Sequence, residues 1–265
     1  MGNFKRLIVN RFLANRLIAV LILGLAYAPG AALAAESAVE FEPAHLDRDN
    51  VNSLQRGAAN FMNYCSGCHS AKYVRFKTIG KDLDLSEEQL VSNLMFNAEK
   101  TFETINATMP AKDAVRWFGT APPDLSLIAR ARGVDYVFNF LKGFYVDPES
   151  PTGMDNIVLA GTSMPHVLWE LQGYQGAEFV EHVETDQDGN EITSVEFGGF
   201  QQLTPGKMDS EDYDEFVRDT VNFLAYMAEP IRSDRRKLGV WVLMFLIFFF
   251  IIARMLKKQI WKDVT

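Results

Sequence analysis

Cys65, Cys68 and His69 stand together in the segment NYCSGCHSAK, and the chain of 265 residues has only these two cysteines. The spacing C-x-x-C-H admits three chemistries. A redox dithiol needs its first cysteine at a helix N-terminus, inside a β-α-β context. Here the motif follows a helical pattern, and no such context surrounds it. A structural zinc site needs four ligands and usually more thiolates than two. Covalent attachment of haem c needs this pattern and nothing more: one turn separates two thioether sulfurs, and the next imidazole can turn back to the iron. It also consumes both thiols. We therefore expect one haem c, held by Cys65 and Cys68 with His69 as an iron ligand.

A haem that only passes electrons is six-coordinate, with His or Met as the second ligand. Three other histidines remain, His45, His166 and His182, and each has an ordinary reading as a surface or core residue. Of ten methionines, most read as core fillers or as part of an apolar C-terminal run. Two do not: Met164 in GTSMPHVLWE and Met208 in LTPGKMDSED. Small c-type haem domains take the distal methionine from a loop just ahead of the last helix. Met208 lies one residue before the cap of that helix, whereas Met164 precedes it by some forty residues. The expectation is Met208.

The elements that must hold these groups are mostly helical. Leu54, Ala58, Phe61 and Met62 fall on one face of a helix running from an Asn52-Ser53 cap to Cys65. Ser86 caps a second helix, and Asp124 or Ser126 a short one that Gly133 ends. VDYVFNFLKGFY is a further apolar-periodic helix closed by Gly143. Alternating segments at Phe179–Thr185 and Ile192–Phe197 flank Asp188-Gly189, which predicts a β-hairpin. Asp209 or Ser210 caps a long final helix that Pro230 stops. The fold class expected is mainly α, a c-type cytochrome haem domain with a small β-hairpin insertion and one C-terminal transmembrane helix.

The two ends differ from the middle. Residues 1–34 carry Lys5, Arg6, Arg11 and Arg16, then an apolar stretch and the small-residue site Ala32-Leu33-Ala34. This is the layout of a cleaved secretory signal peptide. From Leu238 to Ala253 there is no charge, and basic residues bracket the run over 238–256. At 1.5 Å per residue those positions span about 28 Å, enough to cross a hydrocarbon core. The expected organisation is a leader (1–34), an exported haem domain (35–230), an anchor (238–256) and a cytoplasmic tail (257–265). That places the haem domain in the periplasm of a bacterial cell. Between Ala35 and Pro230 stand 14 Lys and Arg against 32 Asp and Glu. So acidic a domain repels nucleic acid and attracts basic partners.

Beyond the CxxCH helix, PPDLSLIARARG, DYVFNFLKGFY, a capped methionine before VRDTVNFLAYMAEP, and the single anchor together resemble cytochrome c1. The resemblance covers nearly the whole mature chain. It implies a haem subunit of a ubiquinol–cytochrome c reductase, with cytochrome b and a Rieske iron–sulfur protein as partners. A basic c-type cytochrome would be the acceptor. It further implies Pro122 and Pro123 near the His side of the haem, and Arg130 and Tyr136 at a propionate. The chain departs from many members in having RWFGTA before the Pro-Pro, where Trp117 and Phe118 would make the pocket drier. The rival readings are the haem c subunit of another membrane complex, of terminal-oxidase or nitrite-reducing type, and a ligand-binding haem sensor or peroxidase.

Overall fold

The structure is a computed structural model that describes residues 41–185 and 191–263. The expected leader and the Asp188-Gly189 turn lie outside the described residues. Helix α1 (Val51–Tyr64) is capped by Asn50, whose side chain accepts from the Ser53 amide, so it starts ahead of the expected Asn52-Ser53 cap. Its face of Leu54, Ala58, Phe61 and Met62 is buried, as the spacing requires.

Strand β1 (Ala71–Arg75) follows, then α2 (Phe76–Asp82) and α3 (Glu87–Leu94). At the head of α3, Ser86 and Gln89 form a reciprocal capping box. Strand β2 (Thr104–Ile105) pairs antiparallel with β1. Helix α4 (Ala111–Phe118) ends at Gly119, whose φ of 76° closes it in the left-handed region. The short α5 (Ile128–Ala131) has no side-chain cap: Asp124 instead accepts from the amides of Lys72 and Ser126, tying this turn to β1. Helix α6 (Val134–Lys142) closes at Gly143 as expected.

Strands β3 (Phe144–Val146) and β4 (Met154–Asn156) pair antiparallel, with Tyr145 opposite Asp155. After α7 (Trp169–Gln172) comes the hairpin of β5 (Gly173–Thr185) and β6 (Glu191–Pro205). It is longer than the alternating segments predicted, because pairing continues through glycines and glutamines that carry no alternation. Helix α8 (Ser210–Ala228) is capped by Asp209, and α9 (Arg232–Ile260) follows.

The core forms where α1 crosses α8. Phe61 and Phe223 meet with ring centroids 5.9 Å apart. The crossing is close because residue 57 is glycine: a Cβ there would be driven into the Asp219 carbonyl. Beside it the buried Asp219 carboxylate accepts from the Ser53 hydroxyl at 2.6 Å and pairs with Arg56. Asn222 donates to the same hydroxyl at 2.9 Å. Tyr213 joins α8 to the last turn of α6 through the Leu141 carbonyl, 3.0 Å away. The fold is thus mainly α with small two-stranded sheets. One helix of the described residues, α9, is long and apolar enough to cross a membrane, and it contains the expected anchor.

Candidate cofactor site

The backbone beyond α1 continues to wind. The amides of Cys65 and Ser66 both donate to the Phe61 carbonyl, and that of His69 donates to Cys65 at 2.8 Å. This turn brings Cys65, Cys68 and His69 to the wall of one cavity of about 410 Å³. Pro122, Pro123 and Leu125 line it from the α4–α5 connection, and Arg132, Tyr136 and Phe140 from α6 and the residues before it. Phe216 and Leu224 of α8 and Met164 with Val167 from the β4–α7 connection complete it.

The donors of this wall are in defined states. His69 Nδ1 lies 2.8 Å from the Pro123 carbonyl, which can only accept, so the proton sits on Nδ1 and Nε2 carries the lone pair. Burial lowers the pKa of this imidazole and keeps it neutral. Burial, with Cys68 beside it, pushes the Cys65 thiol up to about 12. Cys68 is raised by burial as well. A dithiol oxidoreductase needs the opposite shift, so the site does not favour thiolate chemistry. Nor do three or more His, Cys, Asp or Glu side chains gather into a metal site among the described residues. An apolar cavity with two neutral thiols, an oriented imidazole lone pair and a thioether on its wall does fit a covalently held haem c.

Two expected site residues are placed elsewhere. Met208 packs partly against the hydrophobic core and is not on the cavity wall. The cause is local: the amides of Lys207 and Met208 donate to Glu170 and Leu171 at 2.9 and 3.1 Å, pinning this segment to α7. Met164 takes the wall position instead. Its loop is drawn in by the buried Asp155, whose Oδ1 accepts from the amides of Asn156, Gly161 and Thr162 at 2.8, 2.8 and 3.3 Å. Thr162 Oγ1 then accepts from the Met164 amide at 3.4 Å. Arg130 is exposed on α5 and also off the wall. Two residues on a helix are about 200° apart, so Arg132, not Arg130, turns towards the cavity, with its guanidinium 5.4 Å from the Tyr136 ring centroid. No spacing along the sequence marks Arg132 over Arg130, because Gly133, with φ of 92°, separates Arg132 from the helix that carries Tyr136. Phe118 lines the cavity, whereas Trp117 is 58% exposed and does not.

The histidines behave differently from one another. His45 is exposed in the lead-in with φ of 47°. His166 is buried and stacks on Phe144 with ring centroids 5.0 Å apart. Burial lowers its pKa to about 4, so it is neutral at physiological pH. Neither lines the cavity.

Comparison with known proteins agrees with this architecture. The model of the Cytochrome C1 family matches residues 43–264. Cytochrome c1 of Allochromatium vinosum is 42% identical over 92% of this chain and 98% of its own length. The ammonia monooxygenase gamma subunit of Nitrosomonas europaea is 38% identical over 94% and 99% respectively. Cytochrome c1 of Rhodospirillum rubrum is 30% identical over 80% of this chain and 81% of its own. With a family match over most of its length, on a mainly α domain that gathers the CxxCH motif around one apolar cavity, the chain belongs to the cytochrome c1 family.

Proposed function

We propose that this chain is the membrane-anchored electron relay of a ubiquinol–cytochrome c reductase, taking electrons from a Rieske iron–sulfur protein and delivering them to a basic c-type cytochrome. The observation that carries the reading is that Cys65, Cys68, His69 and Met164 line one cavity, with His69 Nδ1 already engaged by Pro123. Cys65 and Cys68 would hold one haem c, and the His69 imidazole and the Met164 thioether, in place of Met208, would bind its iron. Arg132 and Tyr136, rather than Arg130, would receive a propionate, and Pro122 and Pro123 would pack on the His69 side. When bound, haem supplies a one-electron couple that no side chain here has.

The residues set how that couple behaves. A Met/His ligand pair favours a higher potential than two histidines. The apolar wall of Leu125, Phe140, Val167 and Leu224 excludes water and acts in the same direction. The hydrogen bond from His69 to Pro123 fixes the ring that must face the iron. Asp155 positions the Met164 loop. Asp155→Ala is expected to weaken the methionine–iron absorbance band of the oxidised protein and speed imidazole binding by at least about tenfold, since three backbone amides lose their acceptor. An unchanged band with unchanged imidazole binding would show that the loop holds without it.

Helix α9 crosses the membrane once, and the leader exports the haem domain to the periplasm, with residues 257–265 cytoplasmic. The excess of acid in that domain draws a basic acceptor towards it. Acceptor reduction by the purified complex is expected to slow roughly tenfold on raising ionic strength from about 0.01 to 0.15 M. A rate independent of salt would remove the steering and leave the relay standing.

The relay itself is tested in membranes from a strain lacking this chain. Ubiquinol–cytochrome c reductase activity should be lost and should return with the intact sequence. A haem c subunit of a different complex is the second reading, favoured by the name of the Nitrosomonas relative. Co-purification without any b-type haem partner would decide for it.

A further inference from the structure

The segment ahead of α1 is clasped by α6 before it reaches α8. Asn139 Oδ1 accepts from the Glu42 amide at 3.1 Å, and Asn139 Nδ2 donates to the Glu42 carbonyl at 2.8 Å. One turn back on α6, Asp135 Oδ1 accepts from the Ala44 amide at 2.8 Å. Arg218 and Asn222 of α8 then donate to the carbonyls of Ala44 and Asp47 at 3.0 and 2.7 Å. Ala44 is 0% exposed, so the segment is packed as well as hydrogen-bonded.

Tyr136 stands between Asp135 and Asn139 on α6. Held at residues 42 and 44, the segment sets the half-buried Phe41 ring edge-on to Tyr136, with centroids 6.1 Å apart and planes at 82°. Tyr136 also stacks on Phe140 at 6.3 Å and 8°, and the Arg132 guanidinium lies 5.4 Å from its centroid. Arg132, Tyr136 and Phe140 line the cavity, and Phe41 does not. Phe41 therefore supports a ring of the cavity wall from outside the cavity.

We propose that Phe41 is a positioning residue, which holds the Tyr136 ring where its hydroxyl would meet a haem propionate and so raises the reduction potential. The inference rests on the reading of the cavity as a haem c site with Arg132 and Tyr136 at a propionate.

The physical reasons concern freedom and charge. A half-buried tyrosine with open space beside it samples several rotamers, and each costs entropy to give up when a hydrogen bond is made. Neighbours at the face and the edge of the Tyr136 ring remove that freedom in advance. A carboxylate near iron favours the more positive, oxidised state by Coulomb attraction. A hydroxyl donating to that carboxylate offsets part of its charge, and exclusion of water from the same end acts in the same direction. The Phe41 side chain has no polar atom and does not reach the wall, so its effect on the iron passes through Tyr136.

The test is a spectroelectrochemical titration of the full haem-bearing chain. At the wild-type midpoint, F41A should shift the oxidised-to-reduced ratio towards the oxidised form by about threefold or more, short of the tenfold and above carried by partners that orient a metal ligand directly. The methionine–iron band should stay as it is, because the Met164 loop is untouched. F41Y keeps an aromatic edge and should keep the wild-type potential. N139A leaves every ring in place and frees the Glu42 backbone, so it should move the potential in the same direction as F41A, a readout that does not need F41A to fold. In a Y136F background, F41A should add no further shift. Wild-type potentials in both F41A and N139A would overturn the positioning role. So would an equal fall in F41Y, which would take the effect away from the aromatic contact, or a full F41A shift in the Y136F background, which would take it away from the hydroxyl. A pyridine-haem spectrum without haem c would overturn the site reading and the positioning role together, whereas an unmoved potential in a haem-bearing chain overturns the positioning role alone.

Discussion

Replacing Met164 by leucine is expected to lower the reduction potential by on the order of hundreds of millivolts, within the roughly 0.8 V over which axial ligands set haem potentials. The reduced protein should then bind carbon monoxide at neutral pH, since leucine fills the space without a donor. Met208→Leu should do neither, because Met208 is held at α7 and packs into the core instead of lining the cavity. The pair of variants discriminates sharply. A potential and carbon monoxide response moved by Met208→Leu and untouched by Met164→Leu would restore the assignment read from the sequence. The effect is large because, among the described residues, the Met164 thioether is the only soft donor on the wall besides the Cys65 and Cys68 thiols.

Gly57→Val is expected to cost about 3 kcal/mol or more in stability, an overpacking penalty at a site with no room to relax. For a domain of this size that lowers the unfolding midpoint by roughly 10 °C. A side chain there meets the Asp219 carbonyl and the Phe223 Cβ, so α1 must move off α8. That motion would also pull Ser53 and Arg56 from the Asp219 carboxylate, which is 5% exposed and would be left partly unpaired. Gly67→Ala is the control: it lies between the two cysteines, yet nothing lies within 4 Å of the added methyl. It should change stability by no more than about 0.5 kcal/mol. Calorimetry of the two holoproteins checks both. Equal midpoints would mean that the helix crossing is not close in solution.

How much of this was legible beforehand depended on how local the cause was. The Ser86 cap, a cap of α8 at Asp209 or Ser210, the Gly143 stop of α6 and the apolar face of α1 follow from neighbours within one or two turns and were readable; the structure adds the Gln89 half of the Ser86 capping box and selects Asp209. Helices α2 and α4 were not singled out, because seven or eight residues give too little periodicity to stand above background. The hairpin was found but underestimated, since its pairing outlasts its alternation. The sites missed were those decided over distance. Asp155 has no motif around it and reads as one more acid in an acidic domain. Only the return of residues 161 and 162 onto its carboxylate makes it the post on which Met164 is hung.

By itself, then, the sequence determined the donor chemistry at Cys65, Cys68 and His69, the mainly helical frame and the apolar C-terminal helix. Each is set by residue type and by spacing along a few turns of backbone. The tertiary structure decided which methionine and which arginine reach the cavity. Met164 and Met208 are equivalent as thioethers, and Arg130 and Arg132 as cations, so composition cannot rank them. The choice between the methionines is made by hydrogen bonds between segments distant along the chain, and between the arginines by a 200° difference in helical direction, which only a packed core turns into inside and outside.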